Sequence, residues 1–371
     1  MPAAGAFGCR GAPRPVPERG RTRRRRCDDG VRVACRRPSG VEPVNTFVSA
    51  PDLVASFPFP YATDTYRYST NLEPAHTAVR TRTGQWGETV LHIDSEYARE
   101  LAERHRILAA DPTRHAVLPH MRVACWDTML ALMSELATAY PDSMSLTREG
   151  DTWRWSNGLL GIEQDFVVGD DSSLPCDPLD YIAAQVQDDI VLLDQRDGDL
   201  FADAGVVTFS AGWSFGFDVG MTFLEIHGPV PGLRESGVIT RARDFLMRLQ
   251  PNQIYRRTNW SMTIGRTLDV SVETLADRAP ARAALDSLDD EAFGRVLHLR
   301  VEVQHLIRLA ESGAICFLIR TYLLPLTDVA GVDEWRVRMA SVLAELPDDI
   351  AGYKGIASYR DRLVSWLRSR G

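Results

Sequence analysis

Lysine is almost absent from this 371-residue sequence: of its 42 lysine and arginine residues, Lys354 alone is a lysine. Such a bias is typical of GC-rich coding and by itself predicts no function. No uninterrupted apolar run approaches the roughly 18 residues that cross a bilayer, so an integral membrane protein is excluded. Hydrophobic residues make up 44% of the chain, which predicts a globular protein with a sizeable core.

Paired cysteine motifs are also absent. The six cysteines are scattered, and none forms a CxxC pair, which excludes the common zinc and disulfide frameworks. They are Cys9, Cys27, Cys35, Cys125, Cys176 and Cys316. We expect the last three to be small buried hydrophobic residues in a protein of the reducing cytoplasm.

The first 45 residues differ from the rest in composition. They hold eleven arginines and four acidic residues, whereas the whole chain has a net charge of −8. Residues 46–371 are therefore acidic, a poor match for nucleic acid or an anionic membrane. The run Arg23–Arg26 is not followed by the apolar segment of a secretory signal. We expect residues 1–45 to be a disordered extension without function, arising from a start codon assigned too far upstream.

Hydrophobic periodicity predicts an α+β fold, a mainly antiparallel sheet covered by helices. We expect one continuous domain over residues 46–350 and a helical C-terminal tail over 351–371. The predicted helices are 97–108, 120–140, 178–194, 238–249 and 333–346. The predicted strands are 153–155, 204–209, 215–226, 254–264, 295–304 and 314–323, with a turn at 210–212 joining the second and third.

The sequence carries no Walker loop, GxGxxG, HExxH, GxSxG or kinase signature, so it has no recognisable nucleotide or flavin fingerprint of its own. Asp188 and Asp189 fall on the polar face of the predicted helix 178–194 and are expected to be solvated. Candidate chemistry is therefore sought among the histidines and the polar residues of the predicted strands.

His227 has the most constrained context of the eight histidines. It ends the predicted strand 215–226 and precedes Gly228-Pro229-Val230-Pro231, a turn that fixes the backbone. A rigidly placed imidazole suits an axial metal ligand. The alternative is a histidine that only bonds a turn carbonyl.

The strand 254–264 carries Arg257 and Asn259 beside a tryptophan. If the strand is central, these groups form a buried polar cluster that needs partners, and the arginine could clamp a carboxylate. A solvated sheet face is the alternative.

The next two strands carry further polar residues. Arg300 and Glu302 on one, facing Arg320 and Tyr322 on the other, would form either a structural salt bridge or a pocket wall. His298 and His305 near the strand end could be ligands, although a lone histidine is usually structural.

Taken together, several segments resemble the haem-dependent oxidative N-demethylase, alpha-subunit-like family, in order and approximate spacing over about residues 90–330. The matching segments are Val186-Gln187-Asp188-Asp189, Leu192-Leu193, Ala204-Gly205 through Phe209, Trp213, Ile226-His227-Gly228-Pro229-Val230-Pro231, Arg257, Asn259-Trp260, Arg300-Val301-Glu302, Ser312-Gly313-Ala314 and Ile319-Arg320-Thr321-Tyr322.

The resemblance implies a PAS-like fold that holds haem b. It implies a monooxygenase that activates O₂ at iron and oxidises an N-methyl carbon of a small amine or amino-acid-derived substrate. The resulting hemiaminal collapses to amine and formaldehyde. Electrons would come from NAD(P)H through a separate flavin and iron–sulfur reductase. Two other functions remain possible on such a fold, a haem or ligand sensor and a non-catalytic partner subunit.

The resemblance also assigns roles to residues. It makes His227 the axial haem ligand and Arg257 and Asn259 distal or propionate-binding residues. Arg320 would bind the cofactor; Glu302 would pair with a cationic amine, and Tyr322 would be catalytic.

Two positions depart from the family pattern. Asp218 stands where a basic residue is usual, and Val303 replaces an arginine. Both changes could alter propionate or substrate contacts, so the substrate need not be dimethylamine, and N-oxygenation is an alternative reaction.

Overall fold

A seven-stranded antiparallel sheet lies at the centre of the computed structural model, which describes residues 49–67, 69–251 and 253–371. The strands are β1 (Glu73–Pro74), β2 (Val79–Arg80), β3 (Gln85–Trp86), β4 (His115–Val117), β5 (Met144–Glu149), β6 (Thr152–Asn157), β7 (Ile162–Val167), β8 (Asp189–Arg196), β9 (Asp199–Val206), β10 (Ile254–Ile264), β11 (Leu297–Arg308) and β12 (Ile315–Pro325). The large sheet has the order β1-β10-β11-β12-β8-β9-β4, β2 pairs with β3, and β5–β7 form a three-stranded sheet. This confirms the mixed α+β class. The predicted extension 1–45, with Cys9, Cys27 and Cys35, lies outside the described residues.

Helices cover both faces of the large sheet. They are α1 (Pro51–Ala55), α2 (Tyr97–Ala110), α3 (Arg122–Ala139), α4 (Pro178–Ala183), α5 (Phe215–Asp218), α6 (Phe223–Ile226), α7 (Val238–Arg248), α8 (Leu275–Ala284), α9 (Asp290–Val296), α10 (Leu326–Ala330), α11 (Asp333–Glu345), α12 (Asp348–Tyr353) and α13 (Arg360–Arg368). Among the described residues, no helix has the length and apolar character needed to cross a membrane.

The two faces of the sheet have different covers. One, here called the helix face, packs against α3 and α4 in one apolar cluster and against α10–α13 in a second. The other, here called the insertion face, packs against the segment between β9 and β10, including α5 and α7. Side chains paired directly across antiparallel strands share a face, so the register assigns every central side chain to one cover or the other.

Most of the predicted elements are confirmed. Helices α2, α3, α7 and α11 form where the 3.6-residue period predicted them, and β6, β11 and β12 lie on their predicted segments. Strand β10 has the predicted bounds, and β9 overlaps the predicted strand 204–209 at its end. Cys125 and Cys316 are buried as predicted, whereas Cys176 is half-buried, and none of the three forms a disulfide.

The predicted helix 178–194 is wrong. Helix α4 ends at Ala183, and Asp189–Arg196 is a strand between β12 and β9. Residues Ile190–Leu193 are buried because a central strand is covered on both faces, and such a strand has a continuous apolar run instead of an alternating one. The turn that follows is Asp197-Gly198, both at positive φ, a strong hairpin signal.

The predicted strand 215–226 is also wrong, and so is the hairpin turn at 210–212. This segment forms the short helices α5 and α6, separated by Gly220 at φ +85°. Helix α6 starts with a capping box in which the side chains of Thr222 and Glu225 each accept from the other's backbone N–H. The helix start therefore has a local chemical cause that outweighs the apolar character of Phe223–Ile226.

Candidate functional site

A hydrogen-bonded layer of polar side chains lies on the insertion face of β10 and β11. Arg257 is paired across the strands with Gln304, and Asn259 with Glu302. The Arg257 Nη1 donates to Gln304 Oε1 at 3.1 Å, and Gln304 Nε2 donates to Glu302 Oε2 at 3.0 Å. Asn259 Nδ2 donates to the same carboxylate oxygen at 3.4 Å. We call these four residues the polar layer.

The inner half of the polar layer is buried, because Glu302 and Gln304 are each 6% exposed. A buried carboxylate needs compensating donors, and Glu302 also accepts from Arg300 Nε at 3.4 Å. Arg300 is itself bound to the carbonyl of Leu268 and to the hydroxyl of Thr321. Arg257 and Asn259 are half-buried, so the layer has a buried base and an accessible outer edge.

His227 follows helix α6 and does not end a strand, and Arg257 of the polar layer is near enough to lower the pKa of its imidazole. Its Nδ1 is 2.8 Å from the carbonyl oxygen of Phe223, and its ring packs against the Phe223 ring with centroids 4.4 Å apart. Since a carbonyl only accepts, Nδ1 carries the proton and Nε2 has the free lone pair. Nε2 makes no hydrogen bond to any described residue.

The surroundings of His227 favour a neutral imidazole. Burial lowers its pKa below the ordinary value, and Arg257 lowers it further, while the hydrogen bond to Phe223 opposes them. Phe223 and Ile226 belong to the apolar cluster that covers Leu306 on the insertion face. A neutral imidazole with a fixed tautomer is the form that binds a metal.

Arg320 and Tyr322 lie on the helix face, away from the polar layer. In the β11–β12 register Val303 faces Arg320 and Val301 faces Tyr322. The predicted juxtaposition of Arg300 and Glu302 with Arg320 and Tyr322 is therefore wrong. The observed strand register is offset by one residue from the predicted one. An offset of one residue places a side chain on the opposite face of the sheet.

On the helix face, Arg320 belongs to a buried ion-pair network. Its guanidinium is 2.6 Å from Asp94 Oδ2 and 2.8 Å from Glu100 Oε2. The Tyr322 hydroxyl is 3.1 Å from Nδ1 of His92. The sequence interpretation missed Asp94 and Glu100, because both belong to helix α2 or its approach, far from β12 in the chain.

The prediction that Asp188 and Asp189 are solvated is wrong, since they are 1% and 0% exposed. Asp189 accepts from Arg104 Nη2 at 3.1 Å and from the backbone N–H groups of Thr208 and Phe209 at 2.9 and 2.8 Å. Asp188, in contrast, has an Oδ1 atom without a hydrogen-bond partner. The missed signal was the position of both acids directly before the buried run of β8.

Asp188 should make the stability of the protein depend on pH. Burial raises its pKa to about 7; Arg320 and Arg104 oppose the rise, whereas Asp189 and Glu100 add to it. The folded state thus binds this proton more tightly than the unfolded chain. The stability that the proton contributes is present below pH 4 and is lost as the pH rises through 7. We expect Asp188→Asn to raise the free energy of unfolding at pH 8 by about 2–4 kcal/mol, measured by urea denaturation.

The neighbouring substitution Asp189→Asn is the matched control. It weakens four hydrogen bonds to a carboxylate, including one from the Thr208 hydroxyl, and should destabilise the protein at pH 8. A less stable Asp188→Asn protein at pH 8 would contradict the assignment of a buried protonated acid.

The model of the haem-dependent oxidative N-demethylase, alpha subunit-like family matches residues 82–364, more than two thirds of the chain. The chain belongs to this family. The resemblance inferred from the sequence is thereby confirmed. The family description implies haem dependence and an oxidoreductase, and the words alpha subunit imply an enzyme of more than one subunit.

In this member of the N-demethylase-like family, the residues of the insertion face fit a haem. His227 offers an imidazole Nε2 without a partner, held through Nδ1 by a backbone carbonyl. Arg257 supplies a cation in its vicinity that could bind a propionate.

Among the described residues of this N-demethylase-like chain, two other histidines are buried and have ring nitrogens without a hydrogen-bond partner. His298 also has Nδ1 on a backbone carbonyl, that of Val296 at 2.9 Å, and its buried Nε2 has no partner. His305 has no partner at either ring nitrogen. Burial lowers the pKa of His298 to about 4 and that of His305 to about 3, so both are neutral. His298 shares the insertion face with Glu302, whereas His305 lies on the helix face beside Arg256.

Proposed function

We propose that the protein is a haem-dependent monooxygenase that oxidises the N-methyl group, or the nitrogen, of a small amine or amino-acid-derived substrate. It uses O₂ and electrons that a separate flavin and iron–sulfur reductase takes from NAD(P)H. In this proposal the sheet is a PAS-like fold that holds haem b on its insertion face, in a cytoplasmic enzyme. The observation that carries it is the free Nε2 of His227 beside the polar layer, in a chain of this family.

Haem, when bound, supplies the activation of O₂ that no side chain of the polar layer provides. His227 is proposed to bind the iron through Nε2, with the Phe223 carbonyl orienting the ring. Arg257 offers a guanidinium to an anionic group at the outer edge of the polar layer.

Asn259 is placed to contact the substrate or O₂. Its amide nitrogen has two hydrogens, of which one is used by Glu302. The remaining hydrogen and Oδ1 could orient a bound oxygen atom or a substrate amine. Glu302 fixes this amide and offsets the charge of a cationic amine. Arg320 and Tyr322 lie on the helix face, away from this site.

The test is a visible absorption spectrum of the protein expressed with haem supplementation. We expect a stoichiometric Soret band that moves on dithionite reduction and again on addition of CO, as for a haem with an open coordination position. NAD(P)H consumption that requires an amine and a reductase would then establish the activity. A haem protein without such turnover would favour a sensor, and a colourless protein that refuses haem would leave a non-catalytic partner subunit.

A further inference from the structure

Helix α8 presents its apolar side chains to solvent. Leu275, Ala276, Ala279 and Ala283 recur at helical spacing and form a stripe about 100° wide on the helix surface. All four are exposed, Leu275 by 57%, and none of the ten residues of α8 is buried. A helix on the surface of a globular protein ordinarily turns such a stripe towards the core. We call these four residues the α8 stripe.

Two arginines hold the opposite side of α8 against the protein. Arg278 Nη2 donates to the carbonyl oxygens of Val270 and Ser271, each at 2.9 Å. Arg282 Nη2 donates to the carbonyl oxygen of Gly355 at 2.6 Å. The helix is thus attached through polar groups, and its aliphatic groups are left outside. Because a helix of this length is marginal in water without apolar packing, a contact on the stripe would stabilise it.

Two further large apolar residues are exposed on segments that adjoin α8. Val272, one turn before Leu275, is 41% exposed. Phe217 on α5 is 73% exposed, and the hydroxyl of Ser214, just before that helix, donates to the carboxylate of Glu273 beside Val272. Single exposed apolar residues are ordinary, whereas several on adjoining segments indicate an interaction surface.

The charges beside the α8 stripe have opposite signs on its two flanks. At about 100° per residue, Asp277 lies on one flank, and Arg278 and Arg282 lie on the other. The Asp277 side chain has no ion-pair or hydrogen-bond partner among the described residues, and neither arginine forms an ion pair there. An identical helix related by a two-fold axis parallel to α8 sets its basic flank against this acidic flank. The surface is therefore complementary in charge to a copy of itself.

We propose that the α8 stripe is the contact surface between two copies of this chain, related by a two-fold axis that runs alongside α8. Leu275 packs against its counterpart, and the short side chains of Ala276 and Ala279 let the two helices approach closely. Val272 and Phe217 extend the contact. The same patch serves both copies, so that one substitution acts on both sides of the contact. This association goes beyond the proposed function and does not require haem.

The test is sedimentation velocity of the full-length protein over a range of concentrations at pH 7 and low salt. We expect a monomer–dimer equilibrium. Leu275→Asp should raise the dissociation constant at least about tenfold, because a carboxylate from each copy enters an apolar contact. Leu275 is exposed in the monomer, so this variant should keep its far-UV circular dichroism. A protein that stays monomeric, or a dimer that Leu275→Asp leaves intact, overturns the proposal, and a monomer would leave the stripe to a different subunit.

The matched control is Val337→Asp, an apolar-to-acidic change at a residue of α11 that is 48% exposed. It should leave the dissociation constant unchanged. Raising the ionic strength should weaken the wild-type dimer severalfold, because the flanking charges are screened.

A chemical cross-link tests the symmetry of the contact. In Ala279→Cys the two introduced thiols lie on either side of the two-fold axis, so bismaleimidoethane should join two chains. Val337→Cys should not be joined in this way, and the unsubstituted protein gives the background from its own cysteines. A dimer that Ala279→Cys does not cross-link above this background places the contact elsewhere and overturns the proposal.

Discussion

Replacing His227 with alanine is expected to abolish haem retention and leave the fold intact. The imidazole is half-buried and makes one hydrogen bond, so its removal should change far-UV circular dichroism little. An axial ligand lost from a haem site should weaken binding by at least about 100-fold, since even supporting groups cost 10–100-fold. The measurement is a haem titration of the purified variant, followed by its Soret band.

His298→Ala is the matched control for this experiment. His298 has the same arrangement, Nδ1 on a backbone carbonyl and a free Nε2, and it is the more buried of the two. We expect that variant to retain haem. External imidazole should restore haem binding and the spectrum of the unmodified protein to His227→Gly. Haem retained by His227→Ala and lost by His298→Ala would move the ligand assignment to β11.

The strands that carry the polar layer could be predicted from sequence, because alternation is a local property. In β11, Leu297, Leu299 and Val301 alternate with polar residues because one face packs into an apolar cluster and the other carries hydrogen-bonded polar side chains, although the whole strand is buried. Strand β8 could not be predicted in the same way. It is covered on both faces, and a short run of buried residues has no period that separates a strand from a helix.

The part of the candidate site that lies within a single strand could be predicted from the sequence. Arg257 and Asn259 are two residues apart in β10, so they share a face whatever their neighbours are. The position of Arg320 depends on the pairing of two strands, which local sequence does not specify. The burial of Asp188 follows from its place beside a central strand, and that also was not visible in the local pattern.

Replacing Arg320 with methionine is expected to destabilise the protein by about 3–5 kcal/mol at pH 7. The guanidinium is 2% exposed and lies between Asp94 and Glu100, which are themselves 3% and 5% exposed. Burial raises the pKa of the Asp94 carboxyl, but Arg320 and other donors hold it below its ordinary value. Without the arginine, two carboxylates would be left buried and uncompensated. Urea denaturation gives the loss directly.

The pH dependence of that loss separates a charge effect from a packing effect. In Arg320→Met the two carboxyls should take up protons on folding, so the deficit should shrink as the pH falls from 7 to 5. The triple variant Arg320→Met, Asp94→Asn, Glu100→Gln removes all three charges and should recover most of the stability, because neutral replacements of a buried ion pair are well tolerated. A deficit that stays constant with pH would instead indicate lost packing. The haem affinity of Arg320→Met tests whether Arg320 also contacts the cofactor. A stable variant that loses haem would place this arginine at the cofactor and contradict its structural role.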